Sequence, residues 1–202
     1  MFQSIPLFAL SYDRQTLNVL VLELATMVVA VAIAFGANFL TTFDLSDVLY
    51  FIFATSVAIW FWWGYVMDRL EFPPKSQRFP LMDVVVLVLI ALIPFALRQR
   101  NISALSGTLA AVLFAWALLI RRIIRENSDS ISAEKVHQLN LEVSQRIVVA
   151  ILLSLGVLSG LFIPRLGLFI LYFSGATAIV WTVIVRRRLE RENRTEVSSN
   201  GS

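Results

Sequence analysis

Six apolar runs separated by short polar connections fill most of this chain, near residues 17–40, 46–67, 82–97, 103–124, 146–163 and 165–185. A hydrocarbon core about 30 Å thick needs roughly 20 helical residues to cross it, and the runs are of that order. The cations give the runs a direction. Fourteen of the 17 lysines and arginines lie before the first run or around the connections that follow the second, fourth and sixth, run ends included, and the other connections and their edges hold only Arg98, Arg100 and Arg165. Alternate loops rich in Lys and Arg are the positive-inside pattern. It predicts an all-α polytopic membrane protein with six transmembrane helices and both the N and C termini cytoplasmic. The expected organisation is an N-terminal interfacial segment 1–16, a six-helix transmembrane domain 17–185 and a basic, disordered C-terminal tail 186–202.

Composition supports the same class. Hydrophobic residues make up 58% of the chain and the mean hydropathy is +0.77, against about 45–50% apolar in soluble proteins. No stretch is left over for a separate soluble domain, which removes most soluble-enzyme readings. A net charge of +3, with its cations beside helix ends, fits headgroup anchoring rather than a nucleic-acid footprint. The expected surroundings are the lipid bilayer, with no nucleic acid, in a bacterial or archaeal plasma membrane. Cysteine is absent, which excludes disulfides, thiolate metal sites and cysteine nucleophiles. Met1 to Pro6 carry no basic region and no small-residue cleavage site, so Met1 is expected as the mature start.

Local signals mark the helix ends. Ser46 reads as the N-cap of the second helix, with Asp47 on the positive end of its dipole. Trp60, Trp62, Trp63 and Tyr65 read as an aromatic belt, followed by Asp68, Arg69, Glu71, Pro73 and Pro74 as a stop. The third run is short, opens at Asp83 and holds Pro94 near its end, so a small tilt or an incomplete crossing is expected. The connection 125–145 becomes helix-compatible and leads straight into the fifth helix. Ile163-Pro164-Arg165 reads as a tight hairpin. No internal repeat is evident, so an inverted-repeat transporter is not indicated.

The first helix carries the clearest chemical asymmetry. On a 100° wheel with Glu23 at zero, Thr16, Thr26, Met27, Ala30, Ala34, Ala37, Asn38 and Thr41 fall within about 60° of it. The opposite face holds Ala25, Val28, Ala32, Phe35 and Phe39. A small and polar stripe suits a water-filled path, or a close helix–helix contact in which small residues let backbones approach. Glu23 lies roughly 9 Å inside the helix start at 1.5 Å per residue, where a carboxylate costs several kcal/mol unless it meets water, a partner or a proton. The structural alternative is a Glu23 near the headgroups, paired with a loop arginine.

Other features are blander. Gly156 and Gly160 form a small-xxx-small pair suited to packing. His137, the one histidine, reads as a solvated side chain, and the five tryptophans, Trp116 and Trp181 included, read as interface anchors. Asp13, Glu23, Asp68 and Asp83 are scattered, and no phosphate loop, HExxH or GxSxG pattern occurs. No enzyme, cofactor or metal site is expected.

Three stretches in matching order resemble the bacterial six-helix branch of the lysosomal potassium channel family (transmembrane protein 175 family). They are Val28-Val29-Ala30-Val31-Ala32-Ile33, Leu89-Ile90-Ala91-Leu92-Ile93-Pro94-Phe95 and Phe162-Ile163-Pro164-Arg165-Leu166-Gly167-Leu168. The family's Phe-Ser-Asp motif is missing: aligned through Val28 to Ile33, its positions are Leu24, Ala25 and Thr26. The resemblance implies a homotetramer passing monovalent cations, potassium among them, through a pore lined by the first helix. In that register Val31 would form the apolar constriction, which would gate by dewetting, and Glu23, Thr26, Ala30, Ala34 and Asn38 would line the rest. Two other readings stay open: a non-conducting structural membrane protein, and a proton-coupled carrier in which Glu23 titrates.

Overall fold

A computed structural model of the protein describes residues 14–37, 44–73, 81–98 and 101–199. All regular structure among them is helical: α1 (Arg14–Ala37), α2 (Leu45–Glu71), α3 (Leu81–Arg98), α4 (Ile102–Glu126), α5 (Ala133–Phe162) and α6 (Pro164–Ser199). α2, α4, α5 and the Pro164–Ile184 part of α6 are long and apolar enough to cross a membrane. The apolar stretches of α1 and α3, Val19–Ala34 and Leu81–Leu97, are shorter. Among the described residues, length and composition therefore support four crossings, where the sequence reading expected six. Most of the expected interfacial segment, residues 1–13, lies outside the described residues.

The helix ends show which local signals won. α2 starts at Leu45 with Asp44 in extended backbone at the N-cap, two residues before the expected Ser46. The Asp44 side chain makes no capping hydrogen bond, and Asp47 still falls in the first turn. Asn101 caps α4, its Oδ1 accepting from the amides of Ser103 at 2.9 Å and Ala104 at 3.3 Å. Ser132 caps α5, its Oγ accepting from the Lys135 amide. The fifth helix thus begins well ahead of its apolar run, and the connection to α4 shrinks to a turn at residues 127–132. α6 opens on Pro164, whose fixed φ suits the first helical position and whose missing N–H has no partner to lose. Its backbone continues as helix to Ser199, so residues 186–199 of the expected disordered tail are helical.

Packing divides by chemistry. α4, α5 and α6 approach through small residues: a Cβ added to Gly167 on α6 would lie 2.6 Å from the Gly160 Cα on α5. A Cβ on Gly160 would lie 2.6 Å from the Ser103 Oγ of α4. Backbones this close gain dispersion contacts without needing a hydrophobic drive, which lipid does not supply between helices. Gln145 Nε2 adds a cross-link from α5 to α6, donating to the Ala178 carbonyl at 2.8 Å and to Thr182 Oγ1 at 2.9 Å. A larger cluster, mostly aliphatic with Tyr65, Phe72 and Trp116 among it, joins α1, α2 and α3 to α4 and α5. Val21 and Ala25 of α1 share a buried cluster with Leu87 and Ile90 of α3 and Ile120 of α4. Leu139 and Val143, on the polar part of α5, are buried in the same cluster. Where that part meets water, each such side chain contributes about 1.5–3 kcal/mol.

Candidate functional site

α1 turns Val21, Ala25, Val29 and Ala32 inward, all buried, and packs on α2 and α3. Successive spacings of four, four and three residues keep them on one face. The small and polar stripe is left on the outside: Thr16, Glu23, Thr26, Ala30, Val31 and Ala34 are all exposed. Asn38 lies outside the described residues. Glu23 has no hydrogen-bond or ion-pair partner among the described residues, so the expected pairing with a loop arginine is not found there. Thr26 Oγ1 donates to the Leu22 carbonyl of its own helix at 3.0 Å, which removes its desolvation cost and leaves the stripe's polarity to Glu23. Val31 stands 47% exposed and borders an apolar groove of about 410 Å³ between α1 and α3, walled by Met27, Leu92 and Phe95.

The other exposed helix faces look different. α2 presents Leu49, Phe53, Trp60 and Trp63, and α6 presents Phe169, Tyr172 and Phe173. Those are surfaces that lipid tails cover without cost. On α1 the exposed face mixes Val19, Met27 and Val31 with Thr16, Glu23, Ala30 and Ala34, and the Glu23 carboxylate among them is a group that lipid does not satisfy.

A second polar constellation was not visible as one in the sequence. Asp83, in the first turn of α3, is buried, and so is Arg69, in the last turn of α2. Arg69 Nε donates to Asp83 Oδ1 at 2.5 Å and the Tyr65 hydroxyl donates to the same oxygen at 2.7 Å. Arg69 Nη1 also reaches the Phe72 carbonyl at 3.3 Å. Charges this far from water persist only when paired and hydrogen-bonded, and here both conditions hold. Tyr65 is therefore not part of an interfacial belt; it is wholly buried.

Trp116 departs from its expected role too. It is buried within α4, with Nε1 donating to Asp68 Oδ2 of α2 at 2.8 Å. The Arg146 guanidinium of α5 stands 4.8 Å from its ring centroid, a cation–π distance, and Arg146 is also paired with Glu142 at 2.8 Å. The ring fits because position 64 is glycine: a Cβ there would lie 2.8 Å from the Trp116 Cη2. Below it Lys135 bridges to Glu71 at 2.7 Å and stands 5.8 Å from the Phe72 ring. Trp60 and Trp63 remain exposed as anchors would be, while the Trp62 and Trp181 indoles lack hydrogen-bond partners among the described residues.

Residues called scattered in the sequence thus converge in part. Asp68 and Asp83 sit at one end of the bundle, within one polar assembly of α2 to α5, whereas Glu23 stands apart on α1. Among the described residues no group of three or more His, Asp or Glu is placed to hold a metal. His137 is exposed on α5. The available signal for Arg69 and Asp83 was their position, opposite charges at facing ends of consecutive helices. No family model matches the chain, and neither a curated protein nor a solved structure is significantly similar to it.

Proposed function

We propose that the protein is an oligomeric cation channel, potassium-like in its substrate, whose conducting path runs along the outward stripe of α1. The observation that carries this reading is the exposed Glu23, without a partner among the described residues, on a face that also presents Thr16, Ala30 and Ala34. In lipid such a face must meet water or further copies of the chain, and a ring of copies around α1 provides both. In this reading α1 and α3 also lie in the membrane, six helices in all, with both termini on the arginine-rich cytoplasmic side. The assembly is a homotetramer. A carboxylate ring concentrates cations at the mouth, while Val31 from each copy forms a constriction that dewets when narrow.

The test is ion flux from liposomes holding the purified protein, with potassium and sodium compared and protein-free vesicles as control. Potassium-dependent flux that Glu23→Gln reduces supports the channel. Flux that saturates, follows a proton gradient and vanishes in Glu23→Gln supports the carrier instead. Absence of flux for every ion, with α1 faces tightly packed against each other, leaves the structural protein as the reading.

A further inference from the structure

The polar contacts at the arginine-rich end do more than satisfy charges. Inside the α4–α6 half, the helices are joined by the glycine approach and by Gln145. Between α2 and α3, the join is the Arg69–Asp83 pair with Tyr65. α1 has neither; it rides on α2 and α3 through Val21, Ala25, Val29 and Ala32. The two halves share a broad apolar contact between α3 and α4, and their polar contact is where Trp116 enters the notch at Gly64, with Asp68 on its indole nitrogen and Arg146 over its ring. Phe61, one turn before Gly64, adds a ring contact at 5.8 Å.

We infer that Trp116 is a joint through which the polar extension of α5 sets the position of α2, and with it of α3 and α1. The extension is anchored by its own contacts: Leu139 and Val143 are buried, and Lys135 holds Glu71. A shift of the extension moves Arg146, which stands on the indole face; the indole cannot move without Asp68 and the Gly64 notch. α2 then carries Arg69, which draws its buried partner Asp83 and slides α3 along its apolar contact with α4, and the α1 seam follows α2 and α3. Packed elements respond to such a push by small rigid shifts rather than by continuous deformation. The inference does not depend on conduction.

The absence of cysteine allows a direct test by paired spin labels in lipid, with labelled chains diluted in unlabelled ones. One pair, at exposed His137 on the extension and exposed Ala30 on α1, spans the joint. A control pair, at Leu158 on α5 and Tyr172 on α6, lies inside the α4–α6 half. Gly64→Ala displaces the ring, and Trp116→Phe keeps a ring without its N–H should the first variant not fold. The expected result is a shift or broadening of the first distance by about 2 Å or more with the control pair unchanged. An unchanged first pair overturns the joint, and so does equal broadening of both pairs, which is general loosening.

Discussion

Arg69 and Asp83 close the α2–α3 hairpin as an ion pair with both side chains withdrawn from solvent, 3% and 1% exposed. Two helices that would otherwise be held by interchangeable aliphatic contacts gain one fixed relative position, because the pair has a single good geometry. Its net contribution is small compared with the cost of breaking it. Removing either partner leaves the other charge buried alone.

Asp83→Asn or Arg69→Met alone is therefore expected to destabilise the fold by about 3–5 kcal/mol, whereas the double replacement by apolar residues of similar volume costs much less. Denaturation in detergent, run as a double-mutant cycle, measures both. Equal costs for the single and double variants would show that the pair contributes no coupling.

The α5–α6 hairpin makes a prediction about size alone. Gly167→Ala places a methyl 2.6 Å from the Gly160 Cα, where backbone must shift, and is expected to cost about 1–3 kcal/mol. Gly175→Ala, on the same helix with nothing within 4 Å, is expected to be neutral or slightly stabilising through its better helix propensity. Thermal unfolding of the two variants side by side decides it.

The cap of α4 offers a smaller effect. Asn101→Ala removes an acceptor used by two amides and should lower stability by about 1 kcal/mol, while Asn101→Gly should lower it by a few tenths. The ordering, read from melting midpoints, matters more than either value.

For the proposed channel, Val31→Ala should raise potassium flux, since a narrower side chain widens a dewetting constriction. Glu23→Gln should lower flux most at low salt, where screening is weakest, with little change in melting because the carboxylate has no partner among the described residues to lose. Flux that is insensitive to both would remove α1 from the path.

The parts of this fold that were readable from sequence are those set by neighbours along the chain. Pro164 marked the hairpin, Asp47 the first turn of α2, and the wheel of α1 separated Ala25 and Ala32 from Glu23, Thr26 and Ala30 as the structure does. The start of α2 at Leu45 comes without a side-chain capping bond from Asp44, so a cap signal read at Ser46 could not place it. Arg69, Asp83 and Trp116 are illegible for one shared reason. Within its own helix each looks like a residue near an interface, while its partner lies on another helix 14 to 48 residues away. A charge near a helix end looks alike whether it faces headgroups or the neighbouring helix, and only tertiary packing distinguishes the two.

The unbroken length of α5 has a mechanical meaning. Thirty residues at 1.5 Å each make a rod about 45 Å long, half as long again as a hydrocarbon core about 30 Å thick. No proline interrupts it, so the residue that most sharply kinks a helix is missing from it. Anything that grips the outer third of that rod, around His137 and Asn140, acts on a lever arm that pivots on the packed contacts of Leu139 and Val143. Tilting it there swings Gly156 and Gly160 at the far end in the opposite direction.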